Sequence, residues 1–362
     1  AYCIGPTSSS APYPGYGVAD ITTGTDYNNI GIINARNNTS ANEQELYYNA
    51  NNVRTIQNDA SDFSNVNNSR FWIGRSEGYE AATNARVVEV ITFSSRQDDG
   101  SERRKIESYL AVKYGITLGV NGTSQNYVNS NGDIIWDVSA NSGYNYDIAG
   151  IGRDEDSELN QKQSKSVNNN SIVTIGLGEI ASTNNLNTNT FATNRDFLVW
   201  GRNNDSFNTS SEVAQTVNLR GVTTQFTKVS REWKIIESQN DVAEVTLSIP
   251  TAVLTSNIPL NANEEYTLVV ADDPSFGNSN IIDVIPLVTN GSNSEIWYDF
   301  DGTRYFSFAK ATRNIAKRQI DFSSDEFLIG DSKLELNSNF TVSAWVLNNG
   351  SGGSFISKGT RY

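Results

Sequence analysis

The run Asp154-Glu155-Asp156-Ser157-Glu158 is where the chain gathers carboxylates at a spacing that suits chemistry. On a strand, Asp154, Asp156 and Glu158 would share one face, because side chains alternate with a period of two. Cleavage of a glycosidic bond uses two such carboxylates, one as acid and one as base or nucleophile. A buried catalytic strand would carry apolar residues between them, whereas here the intervening residues are Glu155 and Ser157. Five polar residues in succession read as an exposed turn, and the chain as non-enzymatic. The same carboxylates suit calcium, a hard cation that prefers oxygen ligands. Asp154, Asp156 and Glu158 are therefore the calcium candidates. They do not form an EF-hand loop, because a register starting at Asp154 puts Leu159 at the glycine position and Lys165 at the closing glutamate. Two further acidic pairs, Asp98-Asp99 and Asp272-Asp273, are explained by a helix cap and a turn.

Other chemistries lack their side chains. The sequence has no His, and Cys3 is its one cysteine. That excludes a Ser-His-Asp triad, a Cys-His pair and a zinc site of ordinary ligands. Cys3 reads as a packing residue. Gly150-Ile151-Gly152 and Gly176-Leu177-Gly178 lack the third glycine and following helix of a dinucleotide loop, so they read as turn or strand glycines. The net charge is −14 with no dense basic cluster, which argues against nucleic acid or an anionic membrane surface as partner. No window is long and apolar enough for a membrane span, so no membrane insertion is expected. There is no Met, and Ala1 reads as a processed terminus or the edge of a longer chain.

The elements that would position these residues are mostly strands. Asn, Ser, Thr and Gly clusters alternate with short runs rich in Ile, Val, Phe, Tyr and Trp, the pattern of strands separated by tight turns. Residues 1–50 are the least readable. Strands are expected at 71–74, 85–93, 133–136, 147–151, 171–175 and 197–200. A better-defined series follows at 231–236, 243–249, 266–270, 284–288, 296–300 and 304–308. In the 85–93 run, Val88 and Val90 face one side while Val87, Glu89, Ile91 and Phe93 face the other. Asp301-Gly302 predicts a hairpin between the last two strands of the series. Exposed aromatics could stack on sugar rings, but most Trp and Tyr lie within strands, and core is the reading for each. One amphipathic helix is expected at about 101–114. Its signals are a carboxylate cap in Asp99-Gly100-Ser101-Glu102, the face Ile106, Tyr109, Leu110 and Lys113, and Gly115 as left-handed C-terminal cap. It reads as a brace across a sheet.

Several of these stretches resemble a known family. Arg86 to Phe93 followed by Glu102 to Leu118 (ERRKIESYLAVKYGITL) is similar to a junction in secreted surface proteins of gliding bacteria, as are GDIIWD from Gly132, IAGIGRD from Ile148 and LNQKQSKS from Leu159. FLVWG from Phe197, REWK from Arg231, VTLSIP from Val245, FTVSAWV from Phe340 and ISKG from Ile356 continue the likeness. The resemblance covers about residues 70–362. It implies concanavalin A-like, laminin-G-type jelly rolls, export by the type IX secretion machinery and an extracellular place at the cell surface. It carries no catalytic residues.

The expected fold class is all-β, with serial β-sandwich or jelly-roll domains and one bracing helix. Residues 1–119 are read as the C-terminal part of a jelly roll with its brace helix, 120–210 as a β domain and 211–309 as an Ig-like sandwich. Residues 310–318 read as a linker and 319–362 as the start of a further jelly roll that continues beyond this chain. The function expected is a non-catalytic cell-surface adhesin or stalk segment. Its partners would be neighbouring domains of the same large chain, the type IX machinery and surface glycans. The alternative is a carbohydrate-binding module of a secreted polysaccharide-processing protein.

Overall fold

Residues in the left-handed region of backbone space set where strands stop. Asn49-Ala50 (φ 46° and 71°) and Arg220-Gly221 (φ 49° and 79°) make two-residue hairpin turns, the arrangement whose twist matches that of the flanking strands. The computed structural model describes residues 2–4, 17–19, 30–57, 60, 86–98 and 100–313. The chain divides into two units, Ala1–Ile315 and Ala316–Tyr362. The second lies outside the described residues, and with it the domain expected at 319–362. The strand expected at 71–74 also lies outside them.

β1 (Tyr2–Ile4) pairs with β2 (Gly17–Ala19), and β3 (Ile33–Asn38), β4 (Glu43–Tyr48) and β5 (Asn51–Gln57) form a three-stranded sheet. Helix α1 (Glu102–Tyr114) precedes a small pair, β6 (Tyr127–Val128) and β7 (Ile134–Trp136). Next come β8 (Tyr146–Asp154), β9 (Leu159–Gln161), β10 (Gln163–Ser164), β11 (Thr174–Leu177) and β12 (Phe197–Arg202). β13 (Gln215–Leu219), β14 (Val222–Lys228), β15 (Trp233–Ser238) and β16 (Val245–Pro250) lead to helix α2 (Thr251–Asn257). The described part ends with β17 (Glu264–Ala271), β18 (Ile281–Pro286), β19 (Val288–Asn290), β20 (Asn293–Tyr298) and β21 (Thr303–Thr312). Two larger antiparallel sheets result. One has five strands in the order β10-β11-β16-β20-β19. The other has nine, β13-β14-β21-β15-β12-β8-β9, with β17 also on β21 and β18 on β17. The class is mostly β, with several antiparallel sheets and two α-helices among the described residues.

Burial follows the strand period. In β12, Leu198 and Trp200 join Ile175, Leu247 and Ile296 of the five-stranded sheet in one apolar cluster. Phe197 and Val199, on the opposite face of β12, pack with Ala111 and Val112 of α1. The glycines of β8 explain how: Gly152 and Gly150 stand opposite Phe197 and Val199, and a Cβ on Gly152 would come within 2.3 Å of the Phe197 ring. The glycine pair read from the sequence is thus a socket for two side chains beneath the helix.

The structure changes several expectations. The turn at Asp301-Gly302 exists, with Gly302 at φ 65°, but it is not a hairpin. β20 pairs with β16 and β19, while β21 pairs with β14, β15 and β17. Ile296 and Phe306 fill the same core from different sheets, so the chain crosses between sheets here. Nor does residue 210 separate two domains: β11 pairs with β16 and β12 with β15, so both sheets draw strands from either side of it. Residues 310–312 belong to β21 and not to a linker. Residues 86–93 carry no ladder among the described residues. The helix runs Glu102–Tyr114, close to its expected span, but its carboxylate cap is Asp98, whose Oδ1 accepts from the amides of Ser101 (2.8 Å) and Glu102 (3.3 Å). Its buried face is Arg103, Glu107, Ser108, Ala111 and Val112, not the expected Ile106 stripe. Arg103 and Glu107 pair with each other at 2.7 Å, which lets a charged turn go inside. The seven-residue α2 was not expected; it lacks a long apolar period and is anchored by Leu254, which is fully buried.

Gly115 ends α1 at φ 66°, and a Cβ there would meet the carbonyl oxygen of Lys165 at 2.1 Å. Gly115→Ala is expected to cost more than about 1 kcal/mol, from left-handed strain plus that clash. Urea unfolding of the variant against the parent measures it, and equal midpoints would refute the capping role.

Candidate functional site

One groove gathers several of the residues singled out in the sequence. It lies between α1, the turn after β6, the tip of the β8–β9 hairpin and the segment 86–93, and encloses about 400 Å³. Glu89, Ile91 and Phe93 line it from one side, while Val87, which alternation put on the same face, does not line it. Tyr109 and Val112 line it from the helix, and Asp154 and Asp156 from the hairpin.

At the hairpin tip the strand stops at Asp154, and Glu155–Ser157 form one turn of 3-10 helix. The alternation that would have put three carboxylates on one face therefore ends before Asp156. Asp154 is buried and accepts from Ser130 twice, at Oδ1 from the hydroxyl (2.6 Å) and at Oδ2 from the amide (2.8 Å). Asp156 is paired with Arg195, whose Nε also donates to the Ser130 hydroxyl at 3.3 Å. Glu155 pairs with Arg153. Glu158 is exposed and closes the turn at φ 55°. Asp154 and Asp156 thus meet around Ser130, while Glu158 lies apart. Both Asp154 oxygens are engaged by Ser130 and Asp156 Oδ2 by Arg195, so the arrangement fastens the hairpin tip to the β6–β7 turn.

The other wall of the groove is held by Glu89. Its Oε2 accepts from Tyr114 (2.7 Å) and Lys113 (2.9 Å), and its Oε1 from Tyr109 (3.0 Å). Burial pushes the Glu89 carboxyl up, but these three donors outweigh it and hold it below its ordinary value. Burial and the facing carboxylate push the Tyr114 phenol up to about 12. Four side chains thus tie the 86–93 segment to the last turns of α1.

A second carboxylate group was not legible in the sequence. Asp241, Asp299 and Asp301 are exposed, with carboxylate oxygens within 4.8 Å of one another. They come from the two loops that cross between the sheets, β15 to β16 and β20 to β21. Partial burial and the charges of Asp241, Asp301 and Glu244 hold the Asp299 carboxyl above its ordinary value. Three converging oxygens of this kind could hold a hard cation. Of the acidic pairs noted in the sequence, Asp98 caps α1 and Asp273 accepts from the Ser275 amide in a turn (2.9 Å).

Residues 102–302 match the family described as Domain of unknown function (DUF8202). The match spans more than half of the chain, and the chain belongs to this family. No curated protein and no solved structure matches it. The match begins at the first residue of α1, and α1 packs on the sheet formed by the residues after it.

Because the folded Glu89 carboxyl lies below its unfolded value of 4.5, its stabilisation is complete above about pH 4.5 and fades as the pH falls below that. Proteolytic cleavage within 86–93 is expected to speed up over that acid range, because the segment is held by side chains and not by a ladder. Glu89→Gln should show the faster cleavage at neutral pH already. An unchanged cleavage rate in the variant would show that Glu89 does not hold the segment.

Proposed function

We propose that this chain is a segment of a cell-surface adhesin or stalk, built from β-sandwich modules of a large secreted protein and carrying no catalysis of its own. The proposal takes the two larger sheets as the layers of a sandwich. It is supported by the single apolar cluster to which β11, β16 and β20 on one side and β8, β12, β15 and β21 on the other all contribute.

The observation that carries the reading is the setting of β21. This last described strand is ten residues long and paired on both edges. β17 follows it from Glu264 opposite Thr312 to Ala271 opposite Tyr305. On the other edge, β15 pairs with 303–306 and β14 with 309–311. Phe306 stacks on Trp233 at 5.3 Å, and Phe308 meets the same indole edge-on at 5.5 Å. Tension applied at the C-terminal end of β21 must break two ladders and withdraw two buried aromatic rings together. A module joined in series benefits from such an anchorage; an isolated binding domain does not need it. Export by the type IX machinery and display outside the cell belong to the same proposal and follow the sequence resemblance.

Two measurements test it. Antibody against the purified chain, used on whole cells and medium before and after protease shaving, is expected to find a very large, shaving-sensitive band. A soluble band of modest size in the medium would overturn the stalk reading in favour of a secreted carbohydrate-binding module. In single-molecule pulling, the unit Ala1–Ile315 should resist more force when drawn from residue 313 than when drawn across the β17–β18 hairpin. Equal forces would remove the mechanical role of β21.

A further inference from the structure

Of the four tryptophans among the described residues, Trp136, Trp200 and Trp233 are buried, while Trp297 is 51% exposed. The sequence-based assignment of Trp to the core therefore fails at this position. Along β20, Ile296 and Tyr298 turn inward to the core shared by the two sheets. Glu295 and Trp297 therefore occupy the outer face, two residues apart and about 7 Å along the strand.

The neighbours of the indole on that face are polar. Thr246 stands directly opposite Trp297 on β16, and Ser248 opposite Glu295. Both oxygens of Glu295 are fixed, Oε1 by the Ser248 hydroxyl at 3.0 Å and Oε2 by the Asn290 amide at 2.8 Å. On the edge strand β19 the residue opposite Glu295 is Val288, itself half exposed. A protein-binding hot spot sets its aromatic anchor in a packed apolar patch. Here a single ring lies beside an oriented carboxylate with lone pairs to spare.

We propose that the β19–β20 part of this outer face, beside the buried Thr246 and Ser248 of β16, binds a neutral polysaccharide, with Trp297 as the stacking platform and Glu295 as the acceptor for ring hydroxyls. The C–H face of a pyranose is weakly positive and complements the negative face of the indole. Hydroxyls flanking a stacked ring then reach the Glu295 carboxylate. Charge selects within the class: with Glu295 beside the indole and a net charge of −14, an acidic polymer is repelled. The inference gives the adhesin reading a ligand class and rests on it only for display at a surface.

The test is affinity electrophoresis and titration calorimetry of the whole purified chain with laminarin, xylan and galactomannan as neutral probes and alginate as the acidic one. At least one neutral probe is expected to retard the chain and to shift its tryptophan emission to the blue. Trp297→Ala should weaken binding about tenfold or more at an unchanged melting temperature, since little packing is lost, and Trp297→Tyr should restore part of it. Glu295→Gln should weaken it severalfold. Absence of binding to every neutral probe, preference for alginate, or undiminished binding by Trp297→Ala would each overturn the proposal. So would a Trp297→Ala variant whose only change is loss of self-association in light scattering. None of these outcomes bears on cell-surface shaving, so the ligand proposal and the stalk reading fail separately.

Discussion

Phe197, Leu198, Val199 and Trp200 are consecutive residues of β12, and all four are buried. A strand that is apolar on both faces forces its sheet to be covered on both sides, and the rest of the architecture answers that need. On one side Leu198 and Trp200 share an apolar cluster with Ile175, Leu247 and Ile296 of the five-stranded sheet. Helix α1 covers the other, receiving Phe197 and Val199 through the space left by Gly150 and Gly152. Farther along the same sheet, Phe276 from the β17–β18 connection closes over Val217, Phe226 and Ala309. The helix is thus an integral layer of the fold, which is consistent with a family boundary that begins at its first residue.

Buried charge then fixes how the layers meet. Arg103 of α1 lies over the Tyr47 ring at 4.2 Å and pairs with Glu107, while Arg36 approaches the same ring at 4.7 Å and pairs with Glu45 at 2.8 Å. Tyr47 is therefore held by guanidinium groups from the helix and from its own sheet. In the nine-stranded sheet, Lys228 is bound by Glu232 at 2.6 Å and Glu212 at 3.4 Å. Burial holds the Glu232 carboxyl above its ordinary value despite that lysine. Pairs of this kind add little net stability, but breaking one leaves an uncompensated charge at a cost of about 3–5 kcal/mol. They penalise wrong docking far more than they reward the right one.

The sequence was readable wherever a signal is local. The helix at 102–114, its Gly115 cap and most strands from β7 onward follow from periodicity and turn chemistry, each within a few residues. What could not be read was pairing between distant strands. Nothing near Asp301-Gly302 distinguishes a hairpin from a crossover between sheets, because both need the same turn. Residue 210 looked like a boundary for the same reason: strand counting is blind to β12 pairing with β15. Asp241, Asp299 and Asp301 meet only because two such crossovers end side by side. The groove was half legible. Alternation placed Glu89, Ile91 and Phe93 on one face, whereas the engagement of Asp154 by Ser130 depends on a turn that is distant in sequence.

The same covering constraint explains where a recognition surface could evolve. Around β12 the nine-stranded sheet has both faces committed to packing, and a polar or bulky substitution there disturbs a core. The five-stranded sheet has its inner face in that core, while its outer face at β19–β20 meets solvent. Residues there can vary with little effect on folding, provided the ladders keep β-tolerant side chains. A tryptophan in that position gains less from burial than the three that lie inside, so packing alone accounts for it poorly. The edge strand beside it ends in Asn290-Gly291, a tight turn that keeps the exposed edge to three residues, and a short edge gives another sheet little to pair with. The fold thus leaves this face open to ligands that bind side chains and closes its edge to ligands that would extend the ladder.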